Sequence, residues 1–191
     1  MCVVMNQSIS VMSPLELKSV EELRVGDHVA ISGVIYTARD AAHQRLVEAL
    51  DKGWDLPVEI AGQTIYYCGP SPARPGHAVG SAGPTTSKRM DSFAPQLLAA
   101  GLRAMIGKGG RSSEMRRAIT KYKAVYFIAT GGAGALIAGS IKNAEIVAYD
   151  DLGAEAIMRL EVEDFPAIVA NDIYGADLYE EGRMRYRNVI R

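Results

Sequence analysis

Residues 83–93 read GPTTSKRMDSF, which is more polar chemistry than a bend requires. Gly83 and Pro84 turn a chain readily, because glycine tolerates positive φ and proline fixes its own. The next seven residues then bring two threonines, a serine, a lysine, an arginine and an aspartate. Two further cations stand in similar settings: Arg39 in TARDAAH (37–43) follows an apolar run, and Lys108 in GKGG (107–110) sits beside a glycine turn. Arginine presents a planar fork that matches a carboxylate bidentately, whereas lysine supplies a compact point charge. Arg39, Arg89 and Lys108 around one pocket, with Thr85 among them, predict an anionic ligand and suit a small dicarboxylate.

Other readings of these residues are open. Arg39 and Arg89 are equally able to pair with Asp40 and Asp91 on the surface, where such pairs contribute little. Lys108 does not complete a phosphate-binding loop, since Gly109 stands where a serine or threonine is needed. GGAGAL (131–136) fits the dinucleotide pattern only loosely, and close packing of a helix against a sheet explains its glycines as well. His43 lies one helical turn after Arg39, the usual setting of a structural histidine. Asp40, Asp91 and Glu155 are general bases by type, but nothing in their spacing singles one out.

The elements that must position these groups are legible over much of the chain. HVAISGVIYTA (28–38) has the β-branched and aromatic content of a strand, and 40–53 places Ala42, Leu46, Val47 and Leu50 on one helical face ending at Gly53. QTIYYCG (63–69) reads as another strand, and the Gly- and Pro-rich 68–84 as a long functional loop. A short helix (92–101), a buried strand into a glycine loop (103–110), a helix with a serine N-cap (112–122) and a further apolar strand into GGAGAL follow. The alternation predicts a single α/β layered domain over 1–191, with glycine loops gathered at strand ends. From LEVEDFPAIVANDIYGADLY onward, apolar segments are interrupted by Pro166 and Gly175, and no element is assigned there.

Composition narrows the class. The 191 residues include 21 basic and 22 acidic side chains, a net charge of −1, with no basic block of the kind that binds nucleic acid. Hydrophobic residues make up 48%, as in a globular domain. The first residues, MCVVMNQSIS, lack the pattern of a signal peptide, Met5 is a candidate start, and no stretch has the length of a membrane span; a cytoplasmic location is expected. Cys2 and Cys68 are too few to hold a zinc site or an iron–sulfur cluster within this chain. Cys68, in IYYCG, reads as a small buried hydrophobe.

GPTTSKRMDSF resembles the GPTT-x-x-RMD signature of the class I fumarate hydratases, in the part that forms their C-terminal domain or separate beta subunit. TARDAAH, GKGG, GGAGAL and the run DLGAEAIMRLEVEDFPAIVANDIYGADLY extend the resemblance from about residue 8 to residue 179. The resemblance implies a swivelling β/β/α domain and a hydro-lyase that adds water reversibly across the double bond of a small dicarboxylate, with fumarate and malate as the leading pair. It implies a 4Fe-4S cluster held by three cysteines of a partner alpha subunit, with one open iron acting as Lewis acid on the departing hydroxyl, and hence a hetero-oligomer. By the same resemblance Thr85 is the catalytic base, and Arg39, Arg89 and Lys108 bind the substrate carboxylates. Ser87 and Lys88 are left free by the signature and are expected to face solvent. The L(+)-tartrate dehydratase beta subunit shares the signature, and a dicarboxylate-binding module without catalysis is an alternative of another class.

Overall fold

Side chains alternate between two apolar environments along most strands of the molecule, and that alternation defines its layers. The computed structural model describes residues 8–187; Cys2 and Met5 lie outside them. The described chain runs β1 (Ile9–Ser13), α1 (Leu17–Glu22), β2 (His28–Thr37), α2 (Asp40–Asp51), β3 (Thr64–Tyr66), a 3₁₀ turn (Ser87–Met90), α3 (Ala94–Ala99), β4 (Ala104–Gly107), α4 (Ser113–Lys121), β5 (Val125–Ile128), α5 (Gly134–Ala138), β6 (Ile141–Ala148), a second 3₁₀ segment (Asp150–Glu155), β7 (Ile157–Asn171) and α6 (Leu178–Tyr186). No helix among the described residues is long and apolar enough to cross a membrane.

Strands β1 to β5 pair in parallel in sequence order. β7 runs antiparallel, with β2 along one side and β6 followed by β5 along the other. The β2–β7 pairing therefore closes β2–β3–β4–β5–β7 into a ring. One core cluster gathers the same face of every ring strand, including Ile31, Ile35, Tyr66, Ile106, Phe127, Leu160, Phe165 and Val169. The alternate residues, Ile65, Tyr67, Met105 and Tyr126, pack in a second cluster with Leu46, Leu97, Met115 and Ile119 of the helices. β4 is buried at all four positions, so a strand covered on both faces reads as continuously apolar rather than alternating.

The α/β expectation is met, and the strands and helices read between residues 28 and 138 appear within a few residues of their expected limits. Ser112 caps α4, its side chain accepting from the Met115 amide at 3.2 Å. The buried face of α2 is Ala42, His43, Leu46 and Ala49; Val47 and Leu50, expected on that face, are only half-buried. The tail differs most, because the residues around Pro166 form a 15-residue strand. Pro166 lies between the last β6 partner, Val162, and the first β5 partner, Ile168. One side of β7 has no strand neighbour there, so a residue without an N–H is tolerated. Asp164, at φ 51, and a register shift opposite Ile31–Gly33 mark a bulge in the same place.

Phe165 is fully buried and meets Tyr66 edge-on, with ring centroids 5.1 Å apart, across the core of the ring. Phe165→Ala is expected to lower the unfolding free energy by about 3–5 kcal/mol in urea titrations. A loss below about 1 kcal/mol, the range of surface substitutions, would contradict a packed ring interior.

Candidate active site at the strand ends

The register of the parallel strands brings their carboxyl ends to one edge: Thr37 is opposite Tyr66, Tyr66 opposite Ile106, and Gly107 opposite Ile128. Arg39 leaves this edge two residues after β2. The loop after β3 returns to the same edge and docks there. The Thr85 amide donates to the Tyr67 carbonyl at 2.6 Å, the Lys108 amide to the Thr85 carbonyl at 3.2 Å, and the Ser87 amide to the Lys108 carbonyl at 2.9 Å. Thr85–Ser87 thus lies as a short parallel neighbour of the residue that follows β4.

Gly107 makes this docking possible. A Cβ there would overlap the Ser87 hydroxyl and come within 2.9 Å of the Tyr67 ring. Ser87 is fully buried, which corrects the solvent-facing expectation; its hydroxyl shares a 2.8 Å hydrogen bond with the Tyr126 hydroxyl, which in turn donates to the Gly109 carbonyl at 2.8 Å. Burial raises the Tyr126 pKa, so this phenol stays protonated and available as a donor. Lys88 is exposed, as expected. GGAGAL also brings backbones together, but against the docked loop rather than the sheet: a Cβ on Gly134 would lie 2.9 Å from the Gly83 nitrogen.

All four residues singled out by the sequence belong to this edge. Arg39 gives Nη2 to Glu155 at 3.2 Å, and Glu155 also accepts from the Ala41 amide at 2.9 Å, at the first turn of α2. The Arg39 side chain passes over Gly69, where a Cβ would lie 3.0 Å from Nη1. Arg89 donates its Nε to Asp40 at 2.8 Å. Arg39 pairs with Glu155 rather than with its neighbour Asp40, and Asp91 is committed elsewhere. Lys108 is exposed, its stem passing Gly131, where a Cβ would lie 3.6 Å from Cδ; it has no ion pair among the described residues. Thr85 is half-buried. The three acids noted as bases by type are all engaged with cations or amides. The four residues frame a partly exposed edge rather than an enclosed pocket. A cavity of about 710 Å³ lies elsewhere, lined by His28, Ala30, Thr130, Leu136 and Pro166 among others.

Arg111 and Asp91 support the edge from behind. The Arg111 side chain is fully buried; Nε donates to Asp91 at 2.7 Å and Nη1 to the Tyr67 hydroxyl at 3.3 Å, with its guanidinium 4.8 Å from the centre of the Tyr126 ring. Asp91 also accepts from the Ser112 amide at 2.7 Å, so the aspartate of the signature ties the docked loop to the start of α4. Removing either partner would leave a buried charge, a loss of about 3–5 kcal/mol. Arg111, Ser87 and Gly107 were not singled out by the sequence reading. Arg111 precedes the N-cap of α4 and meets Asp91 from 20 residues away, a pairing that no local spacing signals. His43 is fully buried, with Nδ1 2.9 Å from the Arg39 carbonyl and its ring edge-on to Tyr67. It lies in the interior and braces the backbone of Arg39 itself. Burial pushes its pKa down to about 4.

A closed α/β ring that presents a hydroxyl and three cations at its strand ends has the make-up of a site for a small anion. The chain belongs to the family of the fumarase C-terminus, whose model matches residues 4–182. It is 42% identical over 167 residues to the aerobic class I fumarate hydratase of Escherichia coli strain K12, a match covering 86% of this chain and 30% of that protein. It is 39% identical over 159 residues to fumarate hydratase 2 of Leishmania major, over 82% of this chain and 28% of that protein. A protein of Methanocaldococcus jannaschii named "Putative L(+)-tartrate dehydratase subunit beta" is 40% identical over 173 residues, covering 87% of this chain and 89% of that one. The chain therefore spans about 30% of the length of the fumarate hydratases and most of the length of the tartrate dehydratase subunit.

Among the described residues no three His, Cys, Asp or Glu groups converge, so these residues offer no ligand set that fits an iron–sulfur cluster. Cys68 is buried in the ring core, as expected of a small hydrophobe, and burial pushes its thiol up to about 12.

The His43 pKa carries a pH signature. Its folded value lies below the ordinary histidine value of 6.5, so the unfolded chain binds the extra proton. The associated stability is present above pH 6.5 and is lost as pH falls toward about 4, by on the order of 3 kcal/mol. Urea unfolding of the wild type and His43→Gln across this range is expected to show the wild type losing that increment relative to the variant; parallel pH curves would contradict it.

Proposed function

We propose that the chain is the beta subunit of an iron–sulfur-dependent hydro-lyase that hydrates fumarate reversibly to malate, and that Thr85, Arg39, Arg89 and Lys108 are its share of the active site. The observation that carries this reading is the meeting of those four residues at one strand-end edge in a member of the fumarase C-terminus family. The 4Fe-4S cluster is assigned to a partner alpha subunit. A separate-subunit organisation is supported by the coverage of the M. jannaschii relative, whose name is that of a subunit. The same reading takes the fold as a swivelling β/β/α domain, in keeping with the closed ring and its helical layer.

In the dehydration direction the hydroxyl oxygen of Thr85, once deprotonated, takes a proton from the carbon next to the one bearing the substrate hydroxyl. The electron pair left behind spreads into the adjacent carboxylate, and the guanidinium and ammonium groups around it stabilise the developing charge. The double bond forms as the hydroxide departs, and the cluster of the partner subunit, when bound, would supply the Lewis acid that receives it. A threonine is a weak base at its free pKa, and nearby cations reduce the cost of its alkoxide. In hydration the same hydroxyl returns the proton. Arg39 and Arg89 approach from α2 and the 3₁₀ turn and Lys108 from β4, which suits a ligand with a carboxylate at each end.

L(+)-tartrate dehydration is the second reading, favoured by the near full-length match to the M. jannaschii subunit. A binding module without turnover has no use for a threonine hydroxyl set among the cations. Co-expression with a cluster-bearing partner is expected to give a complex that hydrates fumarate, and kcat/KM for fumarate, malate and L-tartrate on that complex separates the two substrates. Full activity from this chain alone would contradict the shared site. Within the active complex, Thr85→Ala is expected to lower kcat by about 10²–10⁴ with KM little changed, whereas Arg89→Ala raises KM as well. An unchanged kcat would remove Thr85 from the mechanism.

A further inference from the structure

Asp40 opens α2 directly after Arg39, and its Oδ1 accepts the Nε–H of Arg89 at 2.8 Å. Among the described residues this is the one hydrogen bond of the Arg89 side chain. The contact is side-on: it engages Nε and leaves the Nη1 and Nη2 amines, the pair that grips a carboxylate bidentately, unengaged. Asp40 is one peptide bond from Arg39, whose own position is set by Glu155 and by the missing side chain at Gly69. The first turn of α2 thus carries one cation and the carboxylate that holds the other, although the two arginines are 50 residues apart in sequence.

We infer that Asp40 is a positioning residue. It fixes Arg89 by its Nε edge, so that the Nη fork is presented to one carboxylate of the substrate at a set spacing from Arg39. This rests on the hydro-lyase reading for what the fork receives, but not for the hold itself. The plain alternative is a surface ion pair with no consequence, since Arg89 is half-exposed and such pairs are worth little. A small energy is enough for positioning, because ordering a long, mobile side chain matters in proportion to how often the free side chain finds the productive geometry.

The test has two arms. In the complex with the partner subunit, Asp40→Ala is expected to raise KM for the dicarboxylate about fivefold, in line with a loss at the upper end for exposed pairs, while Asp40→Asn, which keeps an acceptor for Nε, restores most of it. In an Arg89→Ala background the added Asp40→Ala is expected to change KM less than twofold, because a residue that acts through Arg89 has nothing left to act on. In the ¹⁵N-labelled full chain, the Arg89 Nε–H resonance is expected to be sharp in the wild type and Asp40→Asn and broadened by solvent exchange in Asp40→Ala. An Asp40→Ala effect of the same size with and without Arg89, or an Arg89 resonance indifferent to Asp40, overturns the inference. A wild-type complex that turns over no dicarboxylate overturns the hydro-lyase reading instead, and the resonance still decides whether Asp40 holds Arg89.

Discussion

Gly107 has no Cβ, and the docking of Thr85–Ser87 against the end of β4 depends on that absence. The space a side chain would fill is taken by the Ser87 hydroxyl and the Tyr67 ring. With the loop seated there, three backbone hydrogen bonds hold Thr85–Ser87 between the end of β3 and Lys108. The 3₁₀ turn that follows places Arg89 against the start of α2 and Asp91 against Arg111. A bulky residue at position 107 would displace the loop and with it the hydroxyl, one arginine and the buried ion pair. Positions of several charged groups thus follow from one close approach of two backbones, which in a close-packed interior has no continuous range of alternatives.

The charges around the edge have two distinct jobs. Arg111 and Asp91 lie behind it, buried and paired, and join the docked loop to α4. Arg39, Arg89 and Lys108 lie on the edge, partly exposed, two of them held by carboxylates of this chain and the third without an acidic partner among the described residues. Breaking a buried pair of this kind is costly, because the remaining charge is left without its partner. The exposed ones are worth little to folding, and the proposed function gives their convergence a role. The edge has a hydroxyl and cations but no convergent set of metal-ligating side chains among the described residues.

Much of this was legible in the sequence. The strands and helices from residue 28 to residue 138 carry clear periodicity, and the glycine and proline residues that end them mark the loops that form the edge. GPTTSKRMDSF stood out because its polar groups exceed what a turn needs, and the structure brings Thr85 and Arg89 together with Arg39 and Lys108. The tail was not legible because β7 contains Pro166, a local signal against a strand, which is accommodated where β7 has no partner on one side. β6 was missed because most of its residues are exposed at the sheet edge. Ser87, Arg111 and Glu155 act through partners 20 or more residues away, and no local spacing reports such pairings. The physical rule that polar groups in a core must be satisfied applies to them, but it names partners only once the fold is known.

If the strand-end edge is one half of a dicarboxylate site, a crystal structure of this chain with its cluster-bearing partner and a bound dicarboxylate is expected to show the ligand carboxylates within hydrogen-bonding distance of Arg39, Arg89 and Lys108, with the Thr85 hydroxyl facing the carbon that loses its proton. A dicarboxylate bound in the complex without touching those residues would contradict it.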